Sequence, residues 1–168
     1  TELWQWDGRQ APTMVADLNP HGDSDPQTLV FSAERSELFF SAEDQTGERK
    51  FWRYRRGERP RMIEGDYCIP TGITLYEGSS DEDDPNTEEA WQKVICAVGD
   101  RVYFCARDNG TSRDAIWVCG EESSAKPVAG IGDQDGSDPR RLTECHGSLY
   151  FVAGDEQHGR ELWRLDTA

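Results

Sequence analysis

The feature that most limits what this chain can fold into is a short apolar pair ending in Trp. It recurs as Glu2-Leu3-Trp4, Lys50-Phe51-Trp52, Ala115-Ile116-Trp117 and Glu161-Leu162-Trp163, with the Trp residues 48, 65 and 46 positions apart. Self-similarity at such a period marks a repeat architecture, in which each unit relies on its neighbours to cover its apolar surface. Twelve or thirteen residues before each of the last three Trp lies an aromatic run: Leu38-Phe39-Phe40, Val102-Tyr103-Phe104 and Leu149-Tyr150-Phe151. Trp4, Trp52, Trp117 and Trp163 are therefore read as structural anchors.

The segments joining aromatic run to Trp each hold an Asp followed closely by Gly: Asp44 to Gly47, Asp108 to Gly110, and Asp155 to Gly159. Gly supplies positive φ in a tight turn and Asp bonds nearby backbone amides, so these read as hairpins with structural carboxylates. Upstream of each aromatic run is an acidic loop ending in Asp-Pro, at Asp23 to Pro26, Asp81 to Pro85 and Asp133 to Pro139. Before each of these loops a short apolar stretch is compatible with an edge strand, which gives four strands per unit.

Alternation over five to seven residues, broken by Gly, Asp or Pro, gives a strand period with almost no helical run. The expected fold is all-β: repeated four-stranded antiparallel units in one repeat domain over 1–168. The units run roughly 1–52, 53–117 and 118–168. An insertion at about 66–84, containing Ile69 to Tyr76, is expected to protrude as an extra hairpin.

Only 35% of residues are hydrophobic and the mean hydropathy is -0.81, so the core must be thin and carried by aromatics, which bury large areas each. Thirty-three acidic against 18 basic residues give a net charge of -15. That balance argues against nucleic acid, whose phosphates need a positive field, and favours cations or basic partners. No stretch is long and apolar enough for a transmembrane helix. The start at Thr1 shows neither an initiator Met nor a signal-peptide pattern, which reads as a processed or trimmed chain. Cys68, Cys96, Cys105, Cys119 and Cys145 form no C-x-x-C pair. They read either as small core residues or as one or two disulfides with at least one thiol left over.

Several phrases, Glu2-Leu3-Trp4-Gln5-Trp6-Asp7-Gly8, Asp17-Leu18-Asn19-Pro20 and His158-Gly159-Arg160-Glu161-Leu162-Trp163-Arg164-Leu165-Asp166-Thr167, resemble the ELWxxDGT repeat family of hyalin-like or surface repeat proteins. The middle is degenerate: Trp52, Gly57, Trp117 and Gly120 remain while Glu-Leu and Asp are lost. The resemblance implies a β-propeller-like array of four-stranded blades, a non-cytosolic setting (extracellular or an organelle lumen), interaction roles and no catalytic residues. With about three blades the ring is not expected to close. The chain then reads as part of a longer array, or as one whose exposed edges pair between its ends or between chains. An open sandwich of the same hairpins is the third alternative.

Function is expected in the loops. Asp133, Asp135 and Asp138 come nearest to a calcium loop, although their spacing departs from D-x-[DN]-x-[DN]-G; Asp81, Asp83, Asp84, Asp23 and Asp25 repeat the pattern. The competing reading is solvated Asp-Pro turns. Calcium is the one ligand considered, with no other cofactor. A basic stripe, Arg49, Lys50, Arg53, Arg55, Arg56, Arg59 and Arg61, interleaves with Phe51, Trp52 and Tyr54. Its Arg53, Arg55, Arg56 and Arg59 read as a surface for an acidic partner, or as charges that neutralise acidic loops of the same molecule. His21, His146 and His158 suggest no triad and nothing selects a pair of carboxylates, so the chain is read as not an enzyme, with a hydrolase as the minor alternative. The expected function is a binding or scaffolding module for protein or glycan. The alternative is a subunit docked permanently, or as a homo-oligomer, in a large membrane-associated assembly such as an organellar or photosynthetic complex on its lumenal side.

Overall fold

Adjacent residues of a strand point to opposite sides, so an unbroken apolar run such as Leu38-Phe39-Phe40 gives a sheet two apolar faces. The computed structural model, which describes residues 1–69, 94–122, 124–129 and 137–167, satisfies that demand by stacking sheets. The described residues are all-β, with no helix among them. The first sheet pairs β1 (Leu3–Gln5) with β2 (Thr13–Ala16). The second runs β3 (Gln27–Ser32), β4 (Glu37–Glu43), β5 (Arg49–Tyr54), β6 (Arg61–Met62). In the third, β11 (Ala125–Pro127), β10 (Asp114–Cys119) and β9 (Arg101–Asp108) lie in that order, and both β7 (Tyr67–Cys68) and β8 (Ile95–Val98) pair with β9. The fourth runs β12 (Arg140–Cys145), β13 (Ser148–Asp155), β14 (Gly159–Asp166). Every strand pair within these sheets is antiparallel.

Three apolar layers separate the four sheets. Leu3 of β1 meets Phe40, Ala42 and Tyr54 of the second sheet. The opposite face of that sheet, through Phe39 and Phe51, meets Val102, Phe104, Ala106 and Trp117 of the third. The far face of the third, Cys96, Tyr103, Cys105 and Ile116, meets Leu142, Leu149, Phe151 and Ala153 of the fourth. The strands of Phe39-Phe40 and Tyr103-Phe104 thus contribute to two cores each.

Register repeats as the sequence spacing predicts: Phe40 lies opposite Trp52, Phe104 opposite Trp117, and Phe151 opposite Trp163. The Trp52 indole donates to the Ala42 carbonyl at 3.2 Å and Trp163 to Ala153 at 3.0 Å, the same offset of ten residues. Trp117 breaks the pattern. Its indole N–H is buried with no hydrogen-bond partner, and its ring packs 5.3 Å from Tyr67, which also stands 5.1 Å edge-on to Phe104. Phe51 completes this cluster at 4.5 Å from Phe104.

Tyr67 falls inside the segment read from sequence as a protruding insertion, yet β7 is part of the third sheet and Tyr67 and Ile69 are buried in the core between the second and third sheets. The rest of the insertion, with Ile73 and Leu75, lies outside the described residues. The middle hairpin also differs from expectation: positive φ falls on Ser112 (58°), whereas Gly47 (78°) and Gly159 (74°) supply it in the other two. No disulfide joins the five cysteines, and Cys96, Cys105 and Cys119 are buried among core side chains. Burial pushes the Cys105 thiol far above its ordinary pKa, which keeps it inert.

Phe104 is fully buried and stacks against both Phe51 and Tyr67 in the aromatic cluster. Phe104→Ala is expected to lower unfolding free energy by about 3–5 kcal/mol. Trp163→Ala, at the partly exposed fourth sheet, should cost less than half as much in the same denaturant titrations.

Candidate functional site

Among the described residues, the hairpins and the Asp-Pro residues singled out from sequence lie at one end of their sheets, because β4 ends and β5 begins at the hairpin beside which β3 starts. There the described Asp residues serve the backbone. The Asp44 carboxylate accepts from the Thr46 amide (2.8 Å) and hydroxyl (2.6 Å) and from the Glu48 amide (3.2 Å). Asp108 does the same for Thr111, and Asp155 for the amides of Gln157 and His158. These are the structural turns that the Asp-to-Gly spacing predicted.

The Asp-Pro loops carry a second device. Arg49, three residues before Trp52, donates to the Asp25 carbonyl (3.0 Å) and to its carboxylate (2.8 Å). Arg160, three residues before Trp163, donates to the Asp138 carbonyl (3.2 Å) and carboxylate (3.0 Å). Asp25 and Asp138 both take positive φ, 42° and 34°, and the preceding serines are both buried. Each two-pronged clamp fixes a carbonyl and a carboxylate together, holding a backbone conformation that L-residues seldom adopt. In the middle unit the residue three before Trp117 is Asp114, which pairs within its own hairpin with Arg107 at 3.0 Å. There Cys68 lies opposite Arg107, at the place where Ser24 and Ser137 accept from the amides of Glu43 and Gly154.

Of the eight Asp residues considered as calcium ligands, Asp25 and Asp138 are therefore held by arginines, and Asp23 is exposed beside the Thr1 amino group. Asp81, Asp83, Asp84, Asp133 and Asp135 lie outside the described residues. Among the described residues no group of three or more His, Cys, Asp or Glu side chains is placed to hold a metal ion.

Most of the basic stripe is engaged in the same molecule. Lys50 pairs with Glu48 at 2.8 Å, Arg53 donates to the Glu121 carbonyl at 2.9 Å, and Arg55 reaches Glu37 at 3.3 Å and Glu58 at 3.7 Å. Arg56 and Arg59 are exposed and, among the described residues, make no ion pair. Of the four Trp anchors, Trp117 is buried, Trp52 half-buried, and Trp4 and Trp163 exposed.

Sequence reading missed the most buried ion pair among the described residues. Arg35, in the β3–β4 turn, donates from Nε to Glu37 at 2.8 Å with both side chains nearly inaccessible. The same guanidinium reaches the Asp100 and Gly120 carbonyls of the third sheet and sits 5.5 Å from the Phe39 ring centroid. It staples the second sheet to the third at the end opposite the Asp turns. Turn position and local acid content hid it; its only sequence signal is a charge flanked by apolar strands.

No family model matches the chain, and no significant match is found among curated proteins or solved structures.

Two outcomes follow from this chemistry. Removing one member of a buried pair strands the other charge, so Arg35→Ala or Glu37→Ala should each cost about 3–5 kcal/mol, while the double change Arg35→Met, Glu37→Leu should recover most of it in denaturant melts. At the last hairpin, the hydrogen bond that His158 Nδ1 donates to the Asp155 carboxylate raises the pKa of His158 above 6.5 and the same contact lowers that of Asp155 below 3.8. The raised His group stabilises the hairpin below the unfolded His pKa and loses that contribution as pH rises through its folded value. The lowered Asp group acts oppositely, losing its contribution as pH falls through its folded value. NMR titration of the His158 ring should thus give a pKa above 6.5 that returns to the ordinary value in Asp155→Asn.

Proposed function

We propose that the chain is a non-catalytic binding or scaffolding repeat module of the ELWxxDGT type, whose sheets act as successive blades of an open, propeller-like array and whose surface engages a protein partner. The observation that carries this reading is the use of the repeated polar residues. Asp25, Asp44, Asp108, Asp138 and Asp155 and their Arg or amide partners are spent on fixing loops, and they build a surface. Repeated Phe-Trp register in three consecutive sheets supports the blade-like reading. Arg56 and Arg59, outward-facing on the β5–β6 connection, are the part of the basic stripe left to meet an acidic partner, where the planar Arg donor fork suits carboxylates. The non-cytosolic location, extracellular or lumenal, follows from the family resemblance.

A second reading, a subunit docked permanently in a large membrane-associated assembly, is favoured by exposed Trp6 and Phe31, which a free module would be expected to cover. No helix among the described residues is long and apolar enough to cross a membrane.

The test is titration of the chain with a poly-glutamate peptide, with thermal unfolding in calcium and in chelator alongside. Saturable binding that weakens with salt and falls at least tenfold in Arg56→Glu, Arg59→Glu supports the binding module. Absence of peptide binding together with a calcium-dependent rise in Tm would replace the basic surface with the Asp loops as the functional element.

A further inference from the structure

The β9–β10 hairpin turns through Asn109-Gly110-Thr111-Ser112, all four of them exposed. Asn109 is the sole Asn of the sequence that precedes Gly. An Asn amide carbon is an electrophile within reach of the next backbone nitrogen, because attack closes a succinimide ring, and Gly leaves that nitrogen unshielded by any side chain. The surroundings leave both partners free to react. The Gly110 N–H makes no hydrogen bond among the described residues, and one exposed hydrogen bond, from Nδ2 to the Asp66 carboxylate at 3.1 Å, holds the Asn109 side chain.

Asn109 is also where the hairpin grips β7. Its backbone N–H donates to the Asp66 carbonyl at 3.1 Å, beside the side-chain bond to the carboxylate of the same residue. β7 itself pairs only Tyr67 with Asp108 and Cys68 with Arg107, so the two Asn109 bonds extend a very short ladder. Tyr67 carries that ladder into the core, where its ring packs against Phe51, Phe104 and Trp117. The turn beyond Asn109 is held by Asp108, whose carboxylate accepts the Thr111 amide at 2.7 Å and whose carbonyl accepts the Ser112 amide at 2.7 Å. A carboxylate at position 109 would remove the donor to Asp66 and set like charges against each other, a change that weakens facing strands.

We propose that Asn109-Gly110 is a self-modifying site, which converts with time to aspartate or isoaspartate and thereby loosens β7 from the third sheet. The Gly110 nitrogen, its proton lost to solvent base, attacks Asn109 Cγ; the N–Cγ bond forms, the Cγ–Nδ2 bond breaks, and Nδ2 leaves as ammonia with protons taken from water. Water then adds to either carbonyl of the succinimide. Opening on one side gives aspartate; opening on the other gives isoaspartate, which routes the main chain through the former side chain and draws Thr111 and Ser112 away from the Asp108 groups that hold the turn. Water is the co-reactant and no oxidant or enzyme enters. The inference is independent of what the Arg56 and Arg59 surface binds.

The full chain, held folded in mildly alkaline buffer and digested at intervals, should show residue 109 with NH2 exchanged for OH, as a mixture of aspartate and isoaspartate. The same chain in guanidinium sets the rate of the unconstrained pair. Gly110→Ala, whose Cβ would meet only the movable Asp108 carboxylate at 3.3 Å, and Asn109→Gln, which cannot close the succinimide, should each stay folded and convert several-fold more slowly. Hydrogen exchange at Tyr67 and Cys68 should be several-fold faster in the aged wild-type chain than in the fresh one, and unchanged in Asn109→Gln aged alongside. Folded wild-type chain that keeps Asn109 intact while the unfolded chain converts would overturn the site. Conversion at residue 109 with β7 protection unchanged would overturn the loosening.

Discussion

A sheet with two apolar faces persists in water only when both faces are covered, and among the described residues, which hold no helix, other sheets provide the cover. Phe39 and Phe40, like Tyr103 and Phe104, point in opposite directions from neighbouring positions of one strand and are all buried. Each such strand serves two cores. A chain with 35% hydrophobic residues can therefore build three apolar layers, because an aromatic side chain buries roughly 150–250 Å² and few positions per strand are needed. The cluster of Phe51, Tyr67, Phe104 and Trp117 is the densest instance, and packing there is maintained even with the Trp117 N–H unpaired. Leaving that donor unsatisfied costs about 1–3 kcal/mol, which the packing of four large rings offsets.

Polar chemistry works at the rims of the stack, where strands end and backbone groups lose their ladder partners. At one rim the Arg49–Asp25 and Arg160–Asp138 clamps hold positive-φ residues that would otherwise relax, and Asp44 and Asp155 close the adjoining hairpins. At the other rim Arg35 joins two sheets by bonding its own Glu37 and the carbonyls of Asp100 and Gly120. The large acidic excess is not spread evenly over these contacts. Among the described residues, Glu37, Asp25 and Asp138 each have an Arg, and Asp44 and Asp155 each accept from two amides.

What the sequence made legible is what repeats in a strict offset. Phe and Trp twelve or thirteen residues apart implied a hairpin, and the register places Phe40, Phe104 and Phe151 directly across from Trp52, Trp117 and Trp163. The hairpin Asp residues were legible for the same reason. Their chemistry is local, and local spacing encodes it. Contacts that join distant positions were not. Arg35 meets Gly120 across 85 residues, and Tyr67 enters the core from the stretch that reads as a protruding insertion. The Arg49 and Arg160 clamps were hidden differently: both sit three residues before Trp, yet Asp114 fills that position in the middle unit and breaks the pattern.

The same two-faced design makes the ends of such a stack the least settled part of it. Repeat arrays remain discrete when an end unit carries a polar outer face in place of the apolar one. β14 goes part of the way: Arg160, Arg164 and Asp166 alternate with Leu162 on the outer side or along its margin, and Arg164 pairs with Asp166 at 3.1 Å. Leu162 itself, with Tyr150 and Val152 on the neighbouring strand, keeps the residue character of an interior face. At the opposite end, Leu29 and Phe31 are as apolar as their covered counterpart Leu142. Side-chain type at these positions thus follows the repeat and not the local exposure.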